Sequence, residues 1–359
     1  MERTASIELV AWRVGWTASR QLSIKAFTSI LLACALLSAL LASWVPLQFS
    51  VVTVFLFAGP HNWFELRYFL MRLPVRFGKS RTFFLTAFTG IGFLTATYIA
   101  LPLLYNLQVM KGDAWPTVLA SWNTLLLLWV GVLIWLRGKQ KIRRDWFWAV
   151  PVALSLSSLN WLAPEFFSLA IVYLHPLIAL WFLDRHLRRT RPDWRRAYHR
   201  CLCLLPLLLA GMIWQLSRTA PLADDNGLFW RITQHAGAQL LPNVSSQLLV
   251  SVHVFLEMLH YGVWLVALPL IGPLIKAPGG DMSSSSRRRG SIWNVKAVPL
   301  ARHPRGFPKL VGAVLAFGLF TVAVLWFGFS VDYATTRDIY FTVAIAHVLA
   351  EAPFLLRML

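Results

Sequence analysis

The chain has 359 residues, 57% hydrophobic and only 14% charged, with a mean hydropathy of +0.59. Soluble domains carry about 25% charged residues, so a water-soluble globule is excluded. The net charge of +19 does not indicate a nucleic-acid partner. The basic residues lie in short loops between apolar blocks, where membrane topology demands them, and no zinc-finger, P-loop or strand-linked GxGxxG pattern occurs.

In chain order the apolar blocks predict ten membrane-spanning helices, at 24–45, 48–71, 82–105, 117–136, 146–163, 166–183, 201–217, 245–272, 310–330 and 339–358. The fifth and sixth meet at a tight turn, Ala163-Pro164-Glu165. The fold class expected is an all-α polytopic membrane helix bundle, one domain over 1–359. Cys34, Cys201 and Cys203 fall in apolar runs and form no disulfide framework. Leu31-Leu32-Ala33-Cys34 looks like a lipoprotein cleavage site, but the apolar run continues past it, which marks a first span.

The connecting loops alternate in charge. Residues 67–81, 137–144, 185–200 and 276–309 are basic, whereas 106–116, 218–243 and 331–338 are nearly balanced. The positive-inside rule then places both termini in the cytoplasm, in a bacterial cytoplasmic membrane. Residues 277–309, rich in Gly, Ser, Pro and Arg, read as a flexible basic cytoplasmic loop that rests on anionic lipid.

Ionisable residues interrupt the spans. The second carries GPHNWFELRYF, with His61 and Glu65. His175 lies in the sixth span, His253, Glu257 and His260 in the eighth, His347 and Glu351 in the tenth, whereas His186, His199, His235 and His303 fall in loops. An intramembrane ionisable residue costs roughly 2.5–3.5 kcal/mol on insertion scales and is functional by default. His61/Glu65, His253/Glu257 and His347/Glu351 are each four residues apart, so each pair shares a helix face. Glu257 and His260 have the E-x-x-H spacing by which bundles present metal ligands.

All four spans run in one direction, which at 1.5 Å per residue sets these groups within roughly one to two turns of a common level. Pro60, Pro176 and Pro353 bend helices beside them.

Imidazole with carboxylate suits iron, and also zinc or manganese. A divalent cation would cancel the buried carboxylate charge, for which the spans offer no Lys or Arg; Arg67 is the nearest. The expected metal set is therefore His61, Glu65, His175, His253, Glu257, His260, His347 and Glu351. Either the histidines bind one iron and the glutamates hold their far nitrogens, or glutamates bridge two ions. Trp63, Phe64, Phe255 and Trp264 lie near this centre; packing is the simpler role for each, and an apolar substrate pocket the other.

Gly59-Pro60-His61-x-x-x-Glu65 resembles the P-H-x-x-x-D motif of the Brp/Blh membrane carotenoid dioxygenases. The resemblance implies a multi-spanning helical fold and a single non-haem iron that cleaves β-carotene with dioxygen. His61 would be an iron ligand and Glu65 its carboxylate partner. Glu65 stands where that family has Asp, and Leu66 where it has a second His.

The function expected is a non-haem iron membrane oxidoreductase acting on an apolar lipid, isoprenoid or carotenoid that enters from the bilayer. A proton- or metal-ion-coupled transporter using the same cluster, and a haem protein, are the alternatives. The sequence assigns no further catalytic side chain and no protein partner.

Overall fold

The computed structural model describes residues 23–109, 111–140, 146–222, 227–271, 295, 298–304 and 306–358. Every regular element among them is a helix, and the chain is a multi-pass membrane protein.

Each of the ten apolar blocks forms a helix: α1 (Ile24–Trp44), α2 (Pro46–Arg72), α3 (Arg81–Asn106), α4 (Trp115–Gln140), α5 (Ala149–Leu162), α6 (Pro164–Thr190), α7 (Arg195–Leu216), α9 (Ser246–Gly262), α12 (Pro308–Val331) and α13 (Tyr333–Met358). Short elements join them: α8 (Leu228–His235), α10 (Leu268–Ile271) and α11 (Pro299–Arg302). Eight of the blocks are long and apolar enough to cross a bilayer. The other two fall short for different reasons. In α2 the polar groups of the His61 segment lower the hydropathy, and α5 has only 14 residues, about 21 Å at the helical rise.

Local chemistry sets the helix ends. The Ser23 hydroxyl accepts from the Ala26 amide at 3.1 Å and caps α1. Pro46, Pro164 and Pro308 open α2, α6 and α12 in the first turn, where a missing N–H costs nothing. The Asp332 carboxylate accepts from the Thr335 amide at 3.1 Å and starts α13 immediately after α12. Four helices outrun the predicted spans by a turn or more: α4 continues to Gln140 and α6 to Thr190, while α7 begins at Arg195 and α13 at Tyr333. These extensions carry ionisable residues that hydropathy alone assigned to loops.

The centre of the bundle is α9, with 67% of its span buried. It packs on α1, α2, α6 and α7, while α13 packs on α2, α3, α4, α6 and α12. A π turn, Val263–Ala267, carries α9 into α10. Pro269 cannot donate to the Leu265 carbonyl, and the wider turn takes up that break.

Aromatic side chains lock the helices together below mid-bundle. Phe69 of α2 stacks on Phe354 of α13 at 4.3 Å, and Tyr68, Phe69 and Phe182 each approach Trp264 within 5.4–5.9 Å. At Gly90 of α3 an added Cβ would lie 1.9 Å from the Trp129 indole nitrogen of α4. That nitrogen donates to the Thr86 carbonyl at 3.1 Å, so the helix crossing requires glycine there.

Most of the loop expected to be flexible, 277–309, lies outside the described residues. Its end does not: Val298 and Ala301 are buried, packed with Trp63, Leu70 and Val311.

Helix α5 has one buried residue, Asn160. Its amide donates to the Ala120 carbonyl at 2.8 Å and its oxygen accepts from Asn123 at 2.9 Å. Asn160→Leu should therefore release α5 from α4 and α6. We expect a loss of about 1–2 kcal/mol, the scale of an interhelical hydrogen bond in a membrane, read by thermal melting in detergent. Faster hydrogen exchange should be confined to 149–162.

Candidate metal centre

Four helices that run in one direction, α2, α6, α9 and α13, meet around a cluster of imidazoles and carboxylates. On α2, His61 Nδ1 lies 3.0 Å from the Phe57 carbonyl oxygen. A carbonyl only accepts, so Nδ1 carries the proton and Nε2 keeps its lone pair, the second-sphere arrangement that prepares a histidine to bind a metal. One turn further, Glu65 is 1% exposed. On α13, His347 and Glu351 repeat the spacing, and α6 supplies His175.

The side chains approach one another closely. His347 Nε2 lies 3.2 Å from His175 Nε2, and His175 Nδ1 lies 3.1 Å from Glu351 Oε2. Two adjacent nitrogens on one ion at 2.0–2.1 Å are separated by about 3.0–3.4 Å. Ligands on opposite sides would be about 4 Å apart, and the His175–His347 contact is shorter than that, equally the length of a hydrogen bond between the two rings. The His260 ring centre is 4.7 Å from that of His175 and 5.2 Å from that of His61.

Two groups have ligand atoms all within 4.8 Å of one another: His61, Glu65, His260 and His347; and His175, His260 and Glu351. His260 belongs to both. Neither of its ring nitrogens makes a hydrogen bond.

The carboxylates are the costly part. Both oxygens of Glu65 are buried without a hydrogen-bond donor, Glu351 has only the His175 Nδ1 at 3.1 Å beside its Oε2, and the two carboxylates repel one another. A buried unpaired charge costs several kcal/mol. Protonation would neutralise them, and a Glu351 O–H could donate to His175 Nδ1, but an O–H on Glu65 would lack an acceptor among the described residues. A cation coordinated by the oxygens removes both penalties.

His253 and Glu257 stand apart from these six. They pair with each other at 3.5 Å, and lie nearer the N-terminal end of α9 than His260, Glu257 by about one turn and His253 by about two. Here they line a cavity of about 460 Å³ together with His61, His175, His260 and His347. Helix α8 brings His235 to 5.1 Å from His253, and Tyr173 stands 5.6 Å from the same ring. Arg231 and Asp338 form an exposed ion pair where the cavity meets the surface. Tyr98, Ile171, Val172 and Ile345 supply an apolar wall. Pro176, which also lines the cavity, leaves the Val172 carbonyl without its helical donor.

Several residues lie where hydropathy did not put them. The spans were expected to hold no Arg, yet Arg337 is 2% exposed on α13, above the Phe341 ring at 4.6 Å and within electrostatic reach of Glu257. His235 ends α8 and lines the cavity, and His186 is buried in α6. His199 lies in α7 and pairs with Asp184 at 2.6 Å. The i,i+3/i+4 rule that linked seven of the eight candidates, all but His175, would also have linked Arg337 to Phe341 and Tyr340, had the start of α13 been set at Tyr333. None of Trp63, Phe64, Phe255 and Trp264 lines the cavity. Trp63 donates to the Leu315 carbonyl at 3.0 Å, Phe255 packs with Ala35 and Met212, and Trp264 belongs to the aromatic layer.

Arg337 and Glu257 should be energetically coupled. Arg337→Met and Glu257→Gln should each lower stability, and the double variant should be more stable than their sum predicts, by about 1–3 kcal/mol. Thermal melts of the four proteins measure this; additive losses would show that the two charges act separately. No protein-family model, curated protein or solved structure matches the chain.

Proposed function

We propose that the cluster is a non-haem metal centre, loaded with iron, in a membrane oxidoreductase that oxidises an apolar molecule with dioxygen as electron acceptor. The observation that carries this reading is the pair of buried carboxylates among four imidazoles: no donor reaches either Glu65 oxygen, and Glu351 has only the His175 ring nitrogen at 3.1 Å. Iron suits this nitrogen and oxygen set, and six candidate ligands exceed the four that close a structural zinc site. Iron bound there would supply one-electron chemistry with dioxygen.

The chain's own groups do the rest. His61 Nδ1 is committed to Phe57, so its Nε2 is oriented toward the cluster. Trp264, Phe182 and Phe69 close the centre from below and exclude water. Substrate space is the cavity of about 460 Å³, and its apolar wall supports a lipid, isoprenoid or carotenoid. The P-H-x-x-x-acid resemblance to Brp/Blh dioxygenases points to the same chemistry. His253, Glu257 and His235 line the way to the surface and are suited to carry protons to the centre.

Elemental analysis of the full-length protein in detergent should find iron at one or two equivalents. His260→Ala and His347→Ala should remove most of it, whereas His253→Ala, outside both groups, should retain it. Metal-free wild-type protein, or full iron in His260→Ala, would overturn the centre. An absorption spectrum with a Soret band would replace it by haem. If the protein is instead a transporter, bound metal should exchange rapidly with solution.

The alternating loop charges support termini in the cytoplasm and a cavity mouth on the opposite side. A cysteine placed at Gln239, exposed beyond α8, should then react with a membrane-impermeant maleimide in intact cells. Protection until lysis would reverse the orientation.

A further inference from the structure

Beneath the aromatic layer, at the opposite end of the bundle from the cavity mouth, lies a second polar cluster that the metal centre does not use. His186 of α6 is 3% exposed, and neither of its ring nitrogens has a hydrogen-bond partner. Its ring is 5.9 Å from that of Tyr68, which is itself 3% exposed. Arg72 donates to the Tyr68 hydroxyl at 2.7 Å, its guanidinium 4.9 Å from the same ring. Arg189, one turn beyond His186 on α6, acts electrostatically on His186 together with Arg72. Arg357 of α13 donates to the Arg72 carbonyl and is repelled by both Arg72 and Arg189.

Among the described residues no Asp or Glu pairs with Arg72, Arg189 or Arg357. Of the two acids that flank Arg189 in sequence, Asp193 is exposed and forms none of these ion pairs, and Asp184 is taken by Arg195 at 2.7 Å and His199 at 2.6 Å. Basic residues near helix C-termini commonly cap free carbonyls. That role accounts for Arg137, which donates to the Leu356 and Arg357 carbonyls at 3.2 and 3.0 Å, and for one nitrogen of Arg357. It leaves Arg189 and the buried, unpartnered His186 unexplained. Three guanidinium groups that repel one another around a phenol and an unsatisfied imidazole form a site complementary to a multivalent oxyanion. Guanidinium forks match phosphate in particular.

We propose that Tyr68, Arg72, His186, Arg189 and Arg357 form a phosphate-binding site at this end of the bundle, filled by the headgroup of an anionic phospholipid. The Arg fork takes the phosphate oxygens, His186 donates from one ring nitrogen, and the acyl chains lie along the apolar outer faces of the helices. The same site takes free phosphate if it is reached from water.

The test uses full-length protein in neutral detergent, with thermal melting as the readout and native mass spectrometry for retained lipid. Micelles doped with phosphatidylglycerol should raise the melting temperature of the wild type by several degrees, and phosphatidylcholine should not. Arg189→Gln and His186→Phe should lose that shift. Arg76→Gln/Arg81→Gln, which removes two exposed charges outside the cluster, should keep it and so excludes a general surface-charge effect. Wild-type protein should also carry a phospholipid that Arg189→Gln lacks. A shift with millimolar inorganic phosphate alone would keep the site and assign it to free phosphate. Equal stabilisation by both lipids, or a full shift in Arg189→Gln, would overturn it.

Discussion

Two carboxylates buried between membrane helices, with a single imidazole nitrogen to compensate them, are the constraint around which this protein is arranged. Glu65 and Glu351 come from different helices and repel one another; neither Glu65 oxygen has a donor, and Glu351 has only His175 Nδ1 beside it. Hydrocarbon tolerates neither the charge nor the unpaired atoms. The imidazoles of His61, His175, His260 and His347 close around them in two overlapping groups that share His260. With a cation present, electrostatic repulsion and desolvation become coordination. The most polar helices can then occupy the middle of the bundle while the apolar ones face lipid.

From that centre the molecule reads as a stack of layers. Toward the N-terminal ends of α6, α9 and α13 lies a cavity with His235, His253, Glu257 and Arg337 in its wall and the Arg231–Asp338 pair at its surface. Toward the other end lies the aromatic layer of Phe69, Phe182, Trp264 and Phe354. Beyond it are the arginines around Tyr68 and His186. A cavity, a His/Glu cluster, an aromatic layer and an arginine cluster thus occupy successive levels of the same helices. The prolines matter here because they alter backbone bonding where the cavity needs room: Pro176 lines it directly. The π turn after His260 serves the same end, since it passes Pro269 without ending the buried helix.

Helical likeness to any known protein contributes nothing to this picture. The reading rests on side-chain chemistry, where the type and placement of donors limit what can bind. Oxidised substrate and metal are inferences from that chemistry; the convergence of six ionisable groups is geometry.

The sequence by itself determined the class and the ingredients. Blocks of about twenty apolar residues permit only membrane helices, because backbone groups must be satisfied internally in lipid. The i,i+4 spacing of His61/Glu65 and His347/Glu351 placed each pair on one face, because helical periodicity is a local property of the chain. What the sequence could not supply was rotation and depth of one helix against another, since those follow from packing between residues far apart in the chain. Only the tertiary structure separated His253 and Glu257 from the six-residue cluster, extended α6 and α13 far enough to bury His186 and Arg337, and brought α8 over the cavity. Hydropathy assigned those residues to loops because it averages over windows, whereas burial is decided by whichever neighbours the fold brings to each side chain.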